Sequence, residues 1–258
     1  MEAQDSQGPQ ETRKAHTHVR INHGWLATAE KRLLIWIAKR LPVWINADHL
    51  TALAVLSMAA VGVALAVAPQ WPPALALAIL ALGFNWFGDS LDGTVARVRG
   101  HERPRFGFYV DHVLDMVGTS FLLAGLAASG YMTPIIALAL LFAYVLVAAE
   151  VFLATAVRGE FRMSFLNFGP TELRIVLAIG IAMLDSHAWV RPFDLGPFRL
   201  FDIGGVIATA GLLLAFVTAA IRTTVFLYRA EPLPKASGQL ADRIEGNRQT
   251  VGTQLRSW

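Results

Sequence analysis

Four carboxylates crowd into a stretch of 27 residues: Asp89, Asp92, Asp111 and Asp115. Asp89 and Asp92 stand three apart and Asp111 and Asp115 four apart, so on helices each pair shares one face. The sequence on either side is apolar, and ionisable groups set in such surroundings are costly enough that they usually mark function. Two acidic faces repel each other strongly unless cations neutralise them. Hard divalent ions with oxygen ligands suit the task, and two Mg²⁺ or Mn²⁺ ions would balance four negative charges while leaving positions for phosphate oxygens. Gly93 and Gly107 are small enough to let a phosphate approach the backbone. Arg97 offers a permanently charged fork for it. The competing reading pairs the carboxylates with Arg97, Arg99, Arg103 and Arg105 in the intervening loop.

The elements that must position these residues are membrane helices. The chain has 258 residues, 55% of them hydrophobic and 16% charged, with a mean hydropathy of +0.48. Its apolar residues lie in long runs, which excludes an ordinary soluble domain, a disordered chain and a collagen-like repeat. With no cysteine there is no disulfide framework, thiol nucleophile or iron–sulfur site. The pattern predicts an all-α polytopic protein with six spans, at about 49–69, 73–98, 108–130, 131–156, 171–189 and 201–228, the fifth being short. The acidic pairs then fall at the adjoining ends of the second and third spans.

Residues 23–46 read as an amphipathic interfacial helix. Leu26, Ala29, Leu33, Trp36 and Ile37 lie toward one side, and Lys31, Arg32, Lys39 and Arg40 lie elsewhere. Residues 1–22 read as a polar arm with no cleaved signal peptide, 47–230 as the membrane domain and 231–258 as a solvated tail. Assigning loops by alternation puts 20 of the 22 Lys and Arg on one side, with only Arg191 and Arg199 opposite. The positive-inside rule therefore places both termini and the acidic cluster in the cytoplasm, in a cell (inner) membrane. The same asymmetry accounts for the basic balance without invoking nucleic acid.

Asp89-x-x-Asp92-Gly93-x-x-Ala96-Arg97, followed after nine residues by Gly107-x-x-x-Asp111-x-x-x-Asp115, resembles the signature of the CDP-alcohol phosphotransferase family. The resemblance covers roughly residues 25–230. It implies a homodimeric helical membrane enzyme that cleaves the pyrophosphate of a CDP-alcohol, joins the phosphoalcohol to an acceptor hydroxyl and releases CMP. By the same resemblance Asp89, Asp92 and Asp111 bind metal, and Asp115 binds metal or acts as base beside the acceptor. Gly93, Ala96, Arg97 and Gly107 would line the cytidine diphosphate site. Thr51 is a further nucleotide contact, although Asp48 stands before it where relatives often have Asn.

Two substrate assignments follow. His112, directly after Asp111, has the basicity to take a proton from an alcohol. Asp111-His112 with Thr171-Glu172 at the start of the fifth span is similar to the choline and ethanolamine phosphotransferase branch, which implies that Glu172 orients His112 as the base, with CDP-choline or CDP-ethanolamine as donor and diacylglycerol as acceptor. That is the first choice. The alternative reverses the polarity, with CDP-diacylglycerol as donor and glycerol phosphate, inositol phosphate, serine or choline as acceptor; Arg158, Arg162 and Arg174 could then form the acceptor pocket. Remoter readings are a membrane prenyltransferase, which would need a second Asp-rich motif, and a cation transporter, whose acids should reach the midplane.

Overall fold

A computed structural model describes residues 27–158, 170–187, 189–190 and 197–231. The chain forms seven helices among these residues: α1 (Ala27–Ala38), α2 (Ala47–Val67), α3 (Ala74–Val98), α4 (Pro104–Ser129), α5 (Pro134–Arg158), α6 (Pro170–His187) and α7 (Leu200–Ala230). A two-residue pairing of β1 (Trp189–Val190) with β2 (Phe198–Arg199) precedes α7. The arm at 1–22, Arg162 and the tail beyond 231 lie outside the described residues.

Five of the helices, α2, α3, α4, α5 and α7, are long and apolar enough to cross a membrane, so the protein is an integral membrane protein of about five long spans among the described residues. The sequence pattern had suggested six. The difference is α6, which at 18 residues carries Glu172, Arg174 and Asp185. Its length is about 27 Å at the helical rise, slightly below the hydrocarbon thickness, and its charges dilute its apolarity.

Local chemistry sets the helix ends. Asn46 caps α2: its side chain accepts from the His49 amide at 3.1 Å, and the His49 ring accepts from the Asn46 amide at 3.3 Å. Pro104 occupies the first turn of α4, starting that helix four residues earlier than hydropathy alone indicates. Gly130, at φ 74°, ends it in the left-handed region.

α2 is the central helix, packed on α3 and α4, while α1 and α6 pack on α3 and α5 on α4. Close approach is made possible by glycine. At Gly62 a β-carbon would collide with the Phe121 backbone oxygen, and at Gly125 with Gly62 itself, so α2 and α4 cross backbone to backbone. Gly88 does the same for α3 against Leu50 and Ala54 of α2. The main core gathers Val61 and Leu65 of α2, Leu75 and Leu82 of α3, Leu122 and Leu126 of α4, and Ile181 and Leu184 of α6. Large apolar side chains on α5 (Leu138, Phe142, Leu153) and on α7 (Val206, Ile207, Leu214) are exposed, as lipid-facing residues are.

α1 has two apolar sides. Leu34 and Ala38 are buried against Leu50, Leu91 and Val95, whereas Leu33 and Trp36 are exposed. The side predicted from the wheel is thus the outward one in part, and a second stripe docks on the protein. Compact packing of the first unit ends at Val217; Thr218–Ala230 belong to a second unit and continue α7 as an apolar helix with Arg222 and Arg229.

Candidate functional site

The short connection from Val98 to Pro104 forces α3 and α4 to run antiparallel, so their acidic faces meet where the sequence places them. Gly100 turns the chain at φ 67°. Arg99 fixes this turn to the segment after α1, donating to the carbonyls of Leu41 at 3.0 Å, Pro42 at 3.1 Å, Val43 at 3.4 Å and also Ile45. Arg103 pairs with Asp48, the residue that departs from the family pattern. Arg97, exposed, donates to Thr94 at 3.2 Å. These three loop arginines are therefore engaged away from Asp89 and Asp92.

Three of the four aspartates converge. Asp89, Asp111 and Asp115 each bring a carboxylate oxygen within 4.8 Å of the others. Oxygens around a six-coordinate Mg²⁺ stand about 3.0 Å apart as neighbours and about 4.2 Å apart across the ion, so the trio could hold such an ion once its side chains close in. Asp92 is turned differently. It accepts from the Gly93 amide of its own helix and from the Thr51 hydroxyl at 2.7 Å, and the latter bond ties α3 to the N-terminal part of α2.

An arginine does reach the acidic group, from an unexpected helix. Arg174 of α6 donates to Asp89 through Nη2 at 2.7 Å and to Asn85 through Nε at 2.8 Å. Asn85 is buried and in turn donates to the Ala54 carbonyl of α2 at 3.0 Å. One guanidinium thus bridges two side chains a helical turn apart on α3. Asn85 was not legible as a site residue, because a lone amide in an apolar run has no spacing partner.

Gly93 and Gly107 lie where space is needed. The Arg97 guanidinium comes within 3.5 Å of where a side chain on Gly93 would start, and nothing lies within 4 Å of the corresponding point at Gly107. Ala96 is half-buried between them in sequence.

His112 sits half-buried beside Phe108 and Phe152, with ring centroids 4.3 and 5.4 Å away. Its Nδ1 lies 2.7 Å from the Phe108 carbonyl and 3.9 Å from Asp111 Oδ2. A carbonyl only accepts, so Nδ1 carries the proton and Nε2 is the nitrogen with a lone pair in the neutral ring. Glu172 occupies the first turn of α6, where a negative charge suits the helix dipole. Its neighbour Thr171 donates to Glu30 of α1 at 2.9 Å.

Residues 44–228, more than two thirds of the chain, match the CDP-alcohol phosphatidyltransferase family. No curated protein matches. Among solved structures the chain is similar to Mycobacterium tuberculosis phosphatidylinositol phosphate synthase with CDP-DAG bound, at 22% identity and a TM-score of 0.50, over 76% of this chain and 92% of that one. At that identity the likeness speaks for the fold.

Proposed function

Because the chain belongs to the CDP-alcohol phosphatidyltransferase family, we propose that it is a CDP-diacylglycerol-dependent phosphatidyltransferase, moving a phosphatidyl group to the hydroxyl of a polar alcohol with release of CMP. The observation that carries this choice is Arg174, whose guanidinium lies at the acidic trio. An acceptor with its own phosphate would be met there by a permanent cation, whereas a diacylglycerol hydroxyl has no use for one. The solved relative that shares the fold was crystallised with the same class of donor. The choline and ethanolamine assignment loses its support correspondingly, since it rested on His112 and Glu172 alone.

In this reading Asp89, Asp111 and Asp115 would hold Mg²⁺ or Mn²⁺ as they stand, and Asp92 would join them, for two ions in all, once its carboxylate leaves Thr51. Such ions, when bound, polarise the pyrophosphate under attack and stabilise the leaving CMP oxygen. Arg97, with Gly93, Ala96 and Gly107 around it, clamps the cytidine diphosphate, and Thr51 acts through Asp92. Asp115 accepts the proton of the acceptor hydroxyl as its oxygen bonds to the phosphatidyl phosphorus and the bond to CMP breaks. His112 is a helix-face residue, and Glu172 serves the N-terminus of α6. Arg158 completes the acceptor pocket with Arg174.

α6 is then a sixth, shorter crossing. Arg174 meets α3 at Asn85 and Asp89, while Ile181 and Leu184 join the core that includes Ala74 and Leu75 at the opposite end of α3. A helix that follows α3 along most of its length supports an even number of crossings and so termini on one side. The basic bias makes that side, and the face that carries the site, the cytoplasmic one of an inner membrane, and the family resemblance implies a homodimer.

The test is CMP release by purified protein in lipid vesicles with Mg²⁺. CDP-diacylglycerol should turn over with glycerol phosphate or inositol phosphate in preference to serine or choline. Turnover only with CDP-choline or CDP-ethanolamine plus diacylglycerol would overturn the proposal.

A further inference from the structure

Glu30 stands in the first turn of α1, among the cations Lys31 and Arg32, and yet its carboxylate is turned into the protein. One oxygen accepts from the indole Nε1 of Trp86 on α3 at 2.9 Å and from the hydroxyl of Thr171 on α6 at 2.9 Å. Both donors are neutral and sit on different helices. An indole N–H can only donate, so a half-buried tryptophan needs such an acceptor, and an ionised one makes the stronger bond.

The positions of these donors matter more than their number. Trp86 follows Asn85 directly and precedes Asp89 by three residues; Thr171 precedes Arg174 by three. The same two helices, α3 and α6, are therefore joined twice within one turn. Arg174 joins them directly through Asn85 and Asp89, and Glu30 joins them through Trp86 and Thr171. The apolar anchoring of α6 to the core begins only at Leu177. The polar links at Thr171 and Arg174 thus hold the first turn among the described residues. α1 is itself firmly seated, with Leu34 and Ala38 buried against Leu91 and Val95 and Arg99 gripping the carbonyls that follow it.

We propose that Glu30 is a positioning residue: through Trp86 and Thr171 it sets the first turn of α6 against α3 and so holds the Arg174 guanidinium at Asp89. The interfacial helix is then part of the machinery of the site. The role assigned to Arg174 rests on the reading above, but the placement of α6 does not, and the two are tested separately.

The absence of native cysteine allows spin labels at Val98→Cys, near the end of α3, and Leu173→Cys, in the first turn of α6, both exposed positions. In vesicles the label-to-label distance distribution should be narrow in the parent, broaden in Glu30→Ala and stay narrow in Glu30→Gln, which keeps an accepting oxygen. An unchanged distribution in Glu30→Ala overturns the proposal whatever the enzyme does. In CMP-release assays with CDP-diacylglycerol and the panel alcohols, Glu30→Ala should raise the acceptor KM roughly tenfold while the donor KM holds. Glu30→Ala added to Arg174→Ala should cost nothing further, because both act through one guanidinium. Losses that add, or that fall equally on donor and acceptor, would reduce Glu30 to a structural brace and overturn the proposal. A broadened distribution in a protein whose parent releases no CMP would uphold the placement of α6 and count against the functional reading alone.

Discussion

Replacing Asp115 by asparagine should make the metal-free protein more stable while abolishing its response to metal. Asp89, Asp111 and Asp115 hold carboxylate oxygens within 4.8 Å of one another. Two unit charges at that separation repel by about 3.5 kcal/mol at an effective dielectric of about 20. Asp115 is exposed, and screening reduces its share to about 1–2 kcal/mol. Arg174 offsets part of the charge on Asp89, but its guanidinium is fixed to Asn85 and Asp89. Asn has nearly the shape of Asp and removes the charge, so relief of repulsion should appear as a rise of about 2–6 °C in unfolding temperature in chelator. With Mg²⁺ or Mn²⁺ added, the parent should gain stability as the cation binds the folded state, and Asp115→Asn should gain little. CMP release should fall by at least a hundredfold. The assay is thermal unfolding in lipid or detergent across a metal titration, run beside the turnover assay. A variant less stable than the parent in chelator, with an undiminished metal response, would refute the argument that the three carboxylates repel one another and are stabilised by a cation.

Three further outcomes are expected. Gly125→Ala should destabilise by about 1–3 kcal/mol despite the better helix propensity of alanine, because its β-carbon would strike Gly62 across the α2–α4 crossing; unfolding curves check this, with Gly83→Ala as the control in open space. Thr51→Val, which removes the hydroxyl bonded to Asp92 at 2.7 Å, should raise the KM for the CDP-linked donor about tenfold and leave the acceptor KM unchanged. Arg99→Ala should free the segment after α1 from its carbonyl bonds, cost about 2 kcal/mol and expose residues 39–45 to limited proteolysis, read by mass spectrometry of the fragments.

What the sequence made legible was local. The meeting of Asp89 with Asp111 and Asp115 follows from two helical spacings and a connection too short to do anything but reverse the chain. The spans of α2, α3, α4, α5 and α7 follow from apolar runs that only a bilayer explains. The contacts that complete the site are of another kind. Arg174 and Asp89 are 85 residues apart, and Glu30 and Thr171 are 141 apart. No period connects such residues, so their pairing belongs to the packing of α6 and α1 on α3. Spacing alone does not show that the Asp92 carboxylate, unlike those of Asp89, Asp111 and Asp115, is bonded to a threonine on the neighbouring helix.

The same packing bears on orientation. The charge asymmetry counts every basic residue as a topological signal, yet Arg174, Arg99 and Arg103 are engaged by the protein itself, on Asp89, on backbone carbonyls and, at the surface, on Asp48. Leaving these three out still gives 17 against 2 of the chain's Lys and Arg. The bias that supports cytoplasmic termini therefore survives without the arginines that serve the site. α6 shows why the distinction matters: one of the three charges that keep it from reading as a long apolar span, Arg174, is the one it brings to α3. A helix shortened in apolar length by one arginine can still follow its neighbour through the bilayer when that arginine arrives already paired with a buried amide and a carboxylate, since its charge never faces lipid.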